Sequence, residues 1–122
     1  MIRIAFLISF AGLALMHNIA INSYLYWQYA WFDILMHFWG GVVVALAVGM
    51  LPSFGIRQVS TPPSFAHVCV AILVVGLLWE LFEYSIGIWA HEPGFISDTL
   101  LDLVMDVLGA ILGYGILNLI KK

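Results

Sequence analysis

Asp33 and His37 stand four residues apart, Glu80 and Glu83 three apart, and Asp98, Asp102 and Asp106 recur at intervals of four. On a helix, residues three and four apart share one face, so each set would present a stripe of donor atoms. Carboxylates and imidazole brought together from facing helices are the ligand chemistry of metal centres in helical bundles. A donor set rich in oxygen with few nitrogens suits a divalent ion such as Mg, Mn, Ca, Fe or Zn, and does not suit metals that need thiolates. The candidate ligands are Asp33, His37, Glu80, Asp102, Asp106 and Asp98, the last of which serves equally well as a helix cap or dipole partner. Glu83 is the candidate catalytic group, a general base or acid beside the metal. The chain shows no glycine-rich phosphate loop, no nucleophilic Ser or Cys motif and no basic cluster. Any catalysis would therefore fall to the metal.

The elements that must hold these residues are apolar. The 122 residues are 64% hydrophobic and 9% charged, with a mean hydropathy of +1.08. A soluble domain of this size cannot hide so much apolar surface, so the class is integral membrane, and in lipid that means helices. The pattern predicts an all-α, polytopic protein: one domain, residues 1–122, with four transmembrane helices at about 2–23, 31–51, 65–89 and 98–120. Arg3 and the run after it have the form of a signal peptide, but no convincing cleavage site follows, and the segment reads as a retained helix. Tyr24, Tyr26, Trp27, Tyr29 and Trp31 read as an interfacial belt before the second helix. Pro52 and the Ser-Thr-Pro-Pro stretch at 60–63 predict a loop over 52–64, and residues 90–97 read as a short loop with Ser97 or Asp98 capping the fourth helix. Cys69, the one cysteine, excludes an intrachain disulfide and reads as a small core residue.

Orientation follows from four cations. Arg3, Arg57, Lys121 and Lys122 all fall at one end of a four-span bundle, and the positive-inside rule makes that end cytoplasmic, together with both termini. The acids then crowd the outer half: Asp33 and His37 early in the second helix, Glu80 and Glu83 late in the third, Asp98 to Asp106 early in the fourth, with His17 late in the first. Gly40, Gly41, Gly76, Gly87, Gly109 and Gly113 flank them and would allow close helix packing. Each ionised acid at mid-bilayer costs about 2.5–3.5 kcal/mol even on a lenient scale, so protons or a cation must neutralise the stripe. A bound divalent ion is the leading reading. It makes the chain an outward-facing cation-binding protein of the cell membrane, with an extension to a metal-dependent enzyme acting on a lipid or lipid-linked substrate. The alternatives are a proton- or cation-conducting protein, and an accessory subunit whose protonated acids bond to Tyr, Ser, Thr and backbone. His67 near the cytoplasmic end, and His91 and Glu92 in a loop, stand outside the site, and His17 reads as an interfacial hydrogen-bonding group. The partners implied are the bilayer, such a lipid substrate and a homo-oligomer, with no nucleic acid.

Asp33-x3-His37, Glu80-x2-Glu83 and Asp102-x3-Asp106-x2-Gly109-x3-Gly113 resemble the VanZ-like family of small membrane proteins. That family shows Asp-Lys-x2-His, Glu-x2-Gln and Asp-x3-Asn-x2-Gly, so this chain departs from it at Ile34, Glu83 and Asp106. The departures remove a lysine counter-charge and add acids, which strengthens the expectation of a bound cation. Asp98-Thr99-x2-Asp102 followed by Gly109-Ala110 also resembles the related YjdF-type membrane proteins. The resemblance spans residues 31–115. What it implies is a small helical membrane protein, with the glycopeptide resistance associated with the VanZ-like family as analogy alone.

Overall fold

A computed structural model describes residues 1–54, 63–85 and 94–120. Helix α1 spans Ile2–Asn22, a single turn α2 Leu25–Gln28, α3 Ala30–Met50, α4 Phe65–Ser85 and α5 Phe95–Ile120, with no strand among the described residues. Each 21-residue helix, at 1.5 Å per residue, is about 32 Å long, which matches a hydrocarbon core of about 30 Å. All four long helices are apolar enough to cross a membrane. Large side chains on their outer faces, Ile8, Val70, Leu78 and Leu81 among them, are exposed in the isolated bundle, as a lipid-facing surface requires. The chain is a helical, multi-pass membrane protein.

The boundaries differ from expectation in three places. The aromatic stretch before α3 is not a plain loop: Tyr24, in the left-handed region at φ 56°, starts the turn of α2. Residues 51–54 continue α3 as a 3₁₀ turn through Pro52, since proline in a first turn forfeits no needed donor. The fourth helix begins at Phe95, one turn earlier than the side chains suggest. Gly94, at φ 108°, makes the entry; the Asp98 amide and the Ser97 hydroxyl both donate to its carbonyl, the latter at 2.7 Å. Ser97 and Asp98 therefore lie inside the first turn and neither is the cap. The expected extension of α4 to 89 and most of the two long loops, with His91 and Glu92, lie outside the described residues, as do Arg57, Lys121 and Lys122.

Helix α3 is the hub. It packs against α1, α4 and, most extensively, α5. Small residues set the α3–α5 distance: a side chain at Gly41 would meet the backbone of Asp106 and Ala110, and one at Gly109 the carbonyl of Phe38. Backbones this close are the small-x3-small packing of membrane helices, here Gly109-x3-Gly113 against Gly41 and Ala45. Below the glycines the bundle is sealed by Ala45, Val68, Ile72 and Ala110, and by Val42, Leu46 and Leu117. Helix α1 is peripheral, with Ala20 its one fully buried residue. Ile2 lies beside Leu117, so the start of α1 and the end of α5 share one end of the bundle.

Candidate metal centre

The opposite end of the bundle collects the acids. Asp33 and His37 leave the first two turns of α3, Glu80 the last turns of α4, and Asp102 and Asp106 the second and third turns of α5. His37, Glu80, Asp102 and Asp106 are only 7%, 6%, 2% and 3% exposed, an extreme burial for charged residue types. Asp33 and Glu83 are half-buried at the mouth. The close α3–α5 approach brings Asp106 to His37, and Gly76 of α4 leaves room for the Asp106 carboxylate that any side chain there would occupy.

His37 is the centre of the cluster. Its Nε2 has Asp33 Oδ1 at 3.8 Å, Glu80 Oε1 at 3.8 Å and Asp102 Oδ2 at 3.9 Å. These separations are too long for hydrogen bonds. They are separations that ligands of one cation can have, since ligands about 2.0–2.6 Å from a cation stand roughly 3–4.5 Å apart, and they fall into two groups that share His37. One ligand atom each from Asp33, His37 and Asp102, and likewise from His37, Glu80 and Glu83, fall within 4.8 Å of one another. Among the described residues the buried atoms His37 Nε2, Glu80 Oε1, Asp102 Oδ1 and Asp106 Oδ2 have no hydrogen-bond partner. Buried polar atoms are normally paired, so four orphans in one cluster mark a place built for something else. Among the described residues no Lys or Arg enters the cluster; the one described cation, Arg3, is exposed in the first turn of α1.

The surroundings hold these groups in place. Asp106 Oδ1 lies 3.3 Å from His37 Nδ1, a long hydrogen bond in which the nitrogen donates. In that tautomer a neutral ring would keep its Nε2 lone pair for a metal, the arrangement in which a carboxylate orients a metal-binding imidazole. Asp106, expected as a ligand, meets the ring with Oδ1 at the Nδ1 side, while its Oδ2 is buried without a hydrogen-bond partner among the described residues. Thr99 Oγ1 donates to Glu80 Oε2 at 2.7 Å, and Trp79 Nε1 donates to Glu83 Oε1 at 2.9 Å. Sequence reasoning assigns neither residue a role at the site, Thr99 entering only as part of the Asp98-Thr99-x2-Asp102 motif, although Thr99 lies three residues before Asp102 and Trp79 four before Glu83, on the same helical faces. Asp98 is exposed at the start of α5 and belongs to neither three-residue group; its turn reaches the cluster through Thr99 instead. His17 also stays outside: its Nδ1 is 2.7 Å from the Tyr26 hydroxyl, and its ring meets Trp79 edge to face at 5.8 Å. Burial, then the nearby Asp33 and Glu83 carboxylates, push the Tyr26 hydroxyl above its ordinary pKa. His67, at the start of α4, bonds Ser64 at 2.6 Å, far from the cluster.

The geometry could hold a metal ion between one imidazole and two carboxylates. Compared with known proteins, the whole chain, residues 1–122, matches the family model described as "Predicted membrane protein (DUF2238)". No curated protein and no solved structure matches it.

Proposed function

The chain belongs to the DUF2238 family of predicted membrane proteins, and we propose that its buried cluster binds a divalent cation and presents it to the polar end of a membrane lipid or lipid-linked substrate. The observation that carries this reading is His37 Nε2, orphaned and buried, facing three carboxylate oxygens at 3.8–3.9 Å. Asp33, His37, Glu80 and Asp102 are the ligands, and Asp106 is the positioning residue that holds the His37 ring. An imidazolium in their place would offset one of the five nearby acids and leave the rest repelling one another. A divalent ion offsets two charges and also supplies the missing partners.

When bound, such an ion polarises a phosphoryl or carbonyl oxygen or activates water. Glu83, at the mouth and held by Trp79, is then the group that takes or returns a proton. Conduction is the weaker reading, because beyond the cluster the bundle is sealed by apolar side chains. The positive-inside distribution of Arg3, Arg57, Lys121 and Lys122 supports a cluster on the outer side of a cell membrane. The kinship with VanZ-like and YjdF-type proteins belongs to the same proposal, supported by the motif residues that line this cluster.

The test is thermal unfolding in detergent. A cation bound to the folded bundle at one hundred times its dissociation constant stabilises it by about 2.7 kcal/mol. Chelator should therefore lower the melting temperature by about 10 °C and one added divalent metal should restore it. Asp102→Asn should abolish the response. A wild type indifferent to chelator and to every divalent metal would overturn the reading; so would a response that Asp102→Asn leaves intact.

A further inference from the structure

We propose that the crevice between α1 and α4 seats a single hydrocarbon chain of a membrane lipid, with the lipid's polar head at the carboxylate–histidine cluster. Helix α1 packs along α3, with Gly12 against the Trp39 ring and Trp39 Nε1 donating to Ser9 Oγ at 3.0 Å, and does not pack along α4. The gap this leaves is a cavity of about 370 Å³, within the span of small-molecule pockets, about 300–1,000 Å³. Its walls are apolar: Phe10 and Leu13 of α1, Val43 and Val44 of α3, Ile72 and Val75 of α4. Its other end is lined by Asp33, His37 and Asp106, so crevice and cluster are one continuous space.

Dimensions select the occupant. From Asp33 to Val44 the lining runs eleven residues along α3, about 16 Å. One leaflet of a hydrocarbon core is about 15 Å deep, half of about 30 Å. An acyl chain lying in its own leaflet therefore reaches from the cluster to the bottom of the crevice. A helix, about 10 Å across, does not fit the polar end, where the His17 and Trp79 rings pack edge to face between α1 and α4. Phe10 and Val75 are exposed at the rim, so a chain enters sideways from the bilayer without crossing the protein. Assigning the head group rests on the cation reading, whereas the chain seat rests on these apolar walls alone.

The experiment uses the full chain in lipid nanodiscs with a lysophosphatidylcholine bearing a diazirine in its acyl chain. After photolysis, adducts are mapped by mass spectrometry. They should fall on Phe10, Leu13, Val43, Val44 and Val75, disappear with excess ordinary lysophosphatidylcholine, and persist in chelator. Ala14→Trp, an exposed position lining the crevice, should abolish the competable adducts while leaving the melting temperature unchanged. Val44→Phe, which fills the crevice from α3, should also abolish the competable adducts. Adducts spread evenly over outward residues such as Leu7 and Leu78 and indifferent to competitor would overturn the proposal, because they would show ordinary surrounding lipid. Crosslinks joining two copies of the chain through the crevice would overturn it in favour of self-association. Crevice labelling in a protein that binds no cation supports the chain seat and overturns only the cation centre.

Discussion

Gly41→Ala tests whether the cluster depends on the α3–α5 approach. A methyl group at position 41 would lie 2.8 Å from the Ala110 nitrogen and 2.9 Å from the Asp106 carbonyl carbon, and closer still to the Asp106 oxygen. Ordinary contact begins near 3.4 Å, and every one of these atoms is backbone, so no side-chain rotation relieves the overlap. The helices must part by about an ångström or more, and overpacking of this kind costs about 1–3 kcal/mol. The separation acts where it matters: Asp33 and His37 ride on α3, Asp102 and Asp106 on α5. The His37–Asp106 bond, already 3.3 Å, would pass out of hydrogen-bond range, and loss of such a supporting contact typically weakens metal binding about 10–100-fold. Gly115→Ala is the control, because a methyl there meets nothing within 4 Å and should be neutral or slightly stabilising. The assay is thermal unfolding in detergent, with metal titration of each variant. A Gly41→Ala protein matching wild type in both stability and metal affinity would refute the packing argument.

Asp106→Asn should lower metal affinity by about 10–100-fold while preserving the number of ions bound, because the residue orients His37 without touching the ion; isothermal titration reads both, and loss of the ion altogether would return Asp106 to the ligand set. In a Cys69→Ser background, a cysteine in place of Glu92 should react with an impermeant thiol reagent on intact cells, since the cations gather at the other end. Labelling only after permeabilisation would place the cluster on the inner side.

The helices were legible because lipid imposes one rule on every segment: about 20 apolar residues, with all backbone bonds made inside the helix. Spacing alone also put Asp33 with His37, and Asp102 with Asp106, on single faces. What spacing does not encode is which nitrogen of His37 meets which carboxylate. That depends on how closely α3 and α5 approach, and so on Gly41 and Gly109 acting across 68 residues of chain. The early start of α5 was hidden for a similar reason: Ser97 and Asp98 have the side chains of a cap, but Gly94 makes the entry with its backbone. Thr99 and Trp79 are ordinary residues until Glu80 and Glu83 are seen beside them. The crevice could not be read from the chain at all, because it is a gap between helices that pack on a third.

The most direct test is the metal content of the protein itself. Purified from membranes without added chelator, the wild type should carry at least one divalent ion per chain by elemental analysis, with anomalous density beside His37 Nε2 and the Asp33, Glu80 and Asp102 oxygens. Asp102→Asn, purified in parallel, should carry none. A folded wild type with no stoichiometric metal, or metal retained in full by Asp102→Asn, would contradict the account.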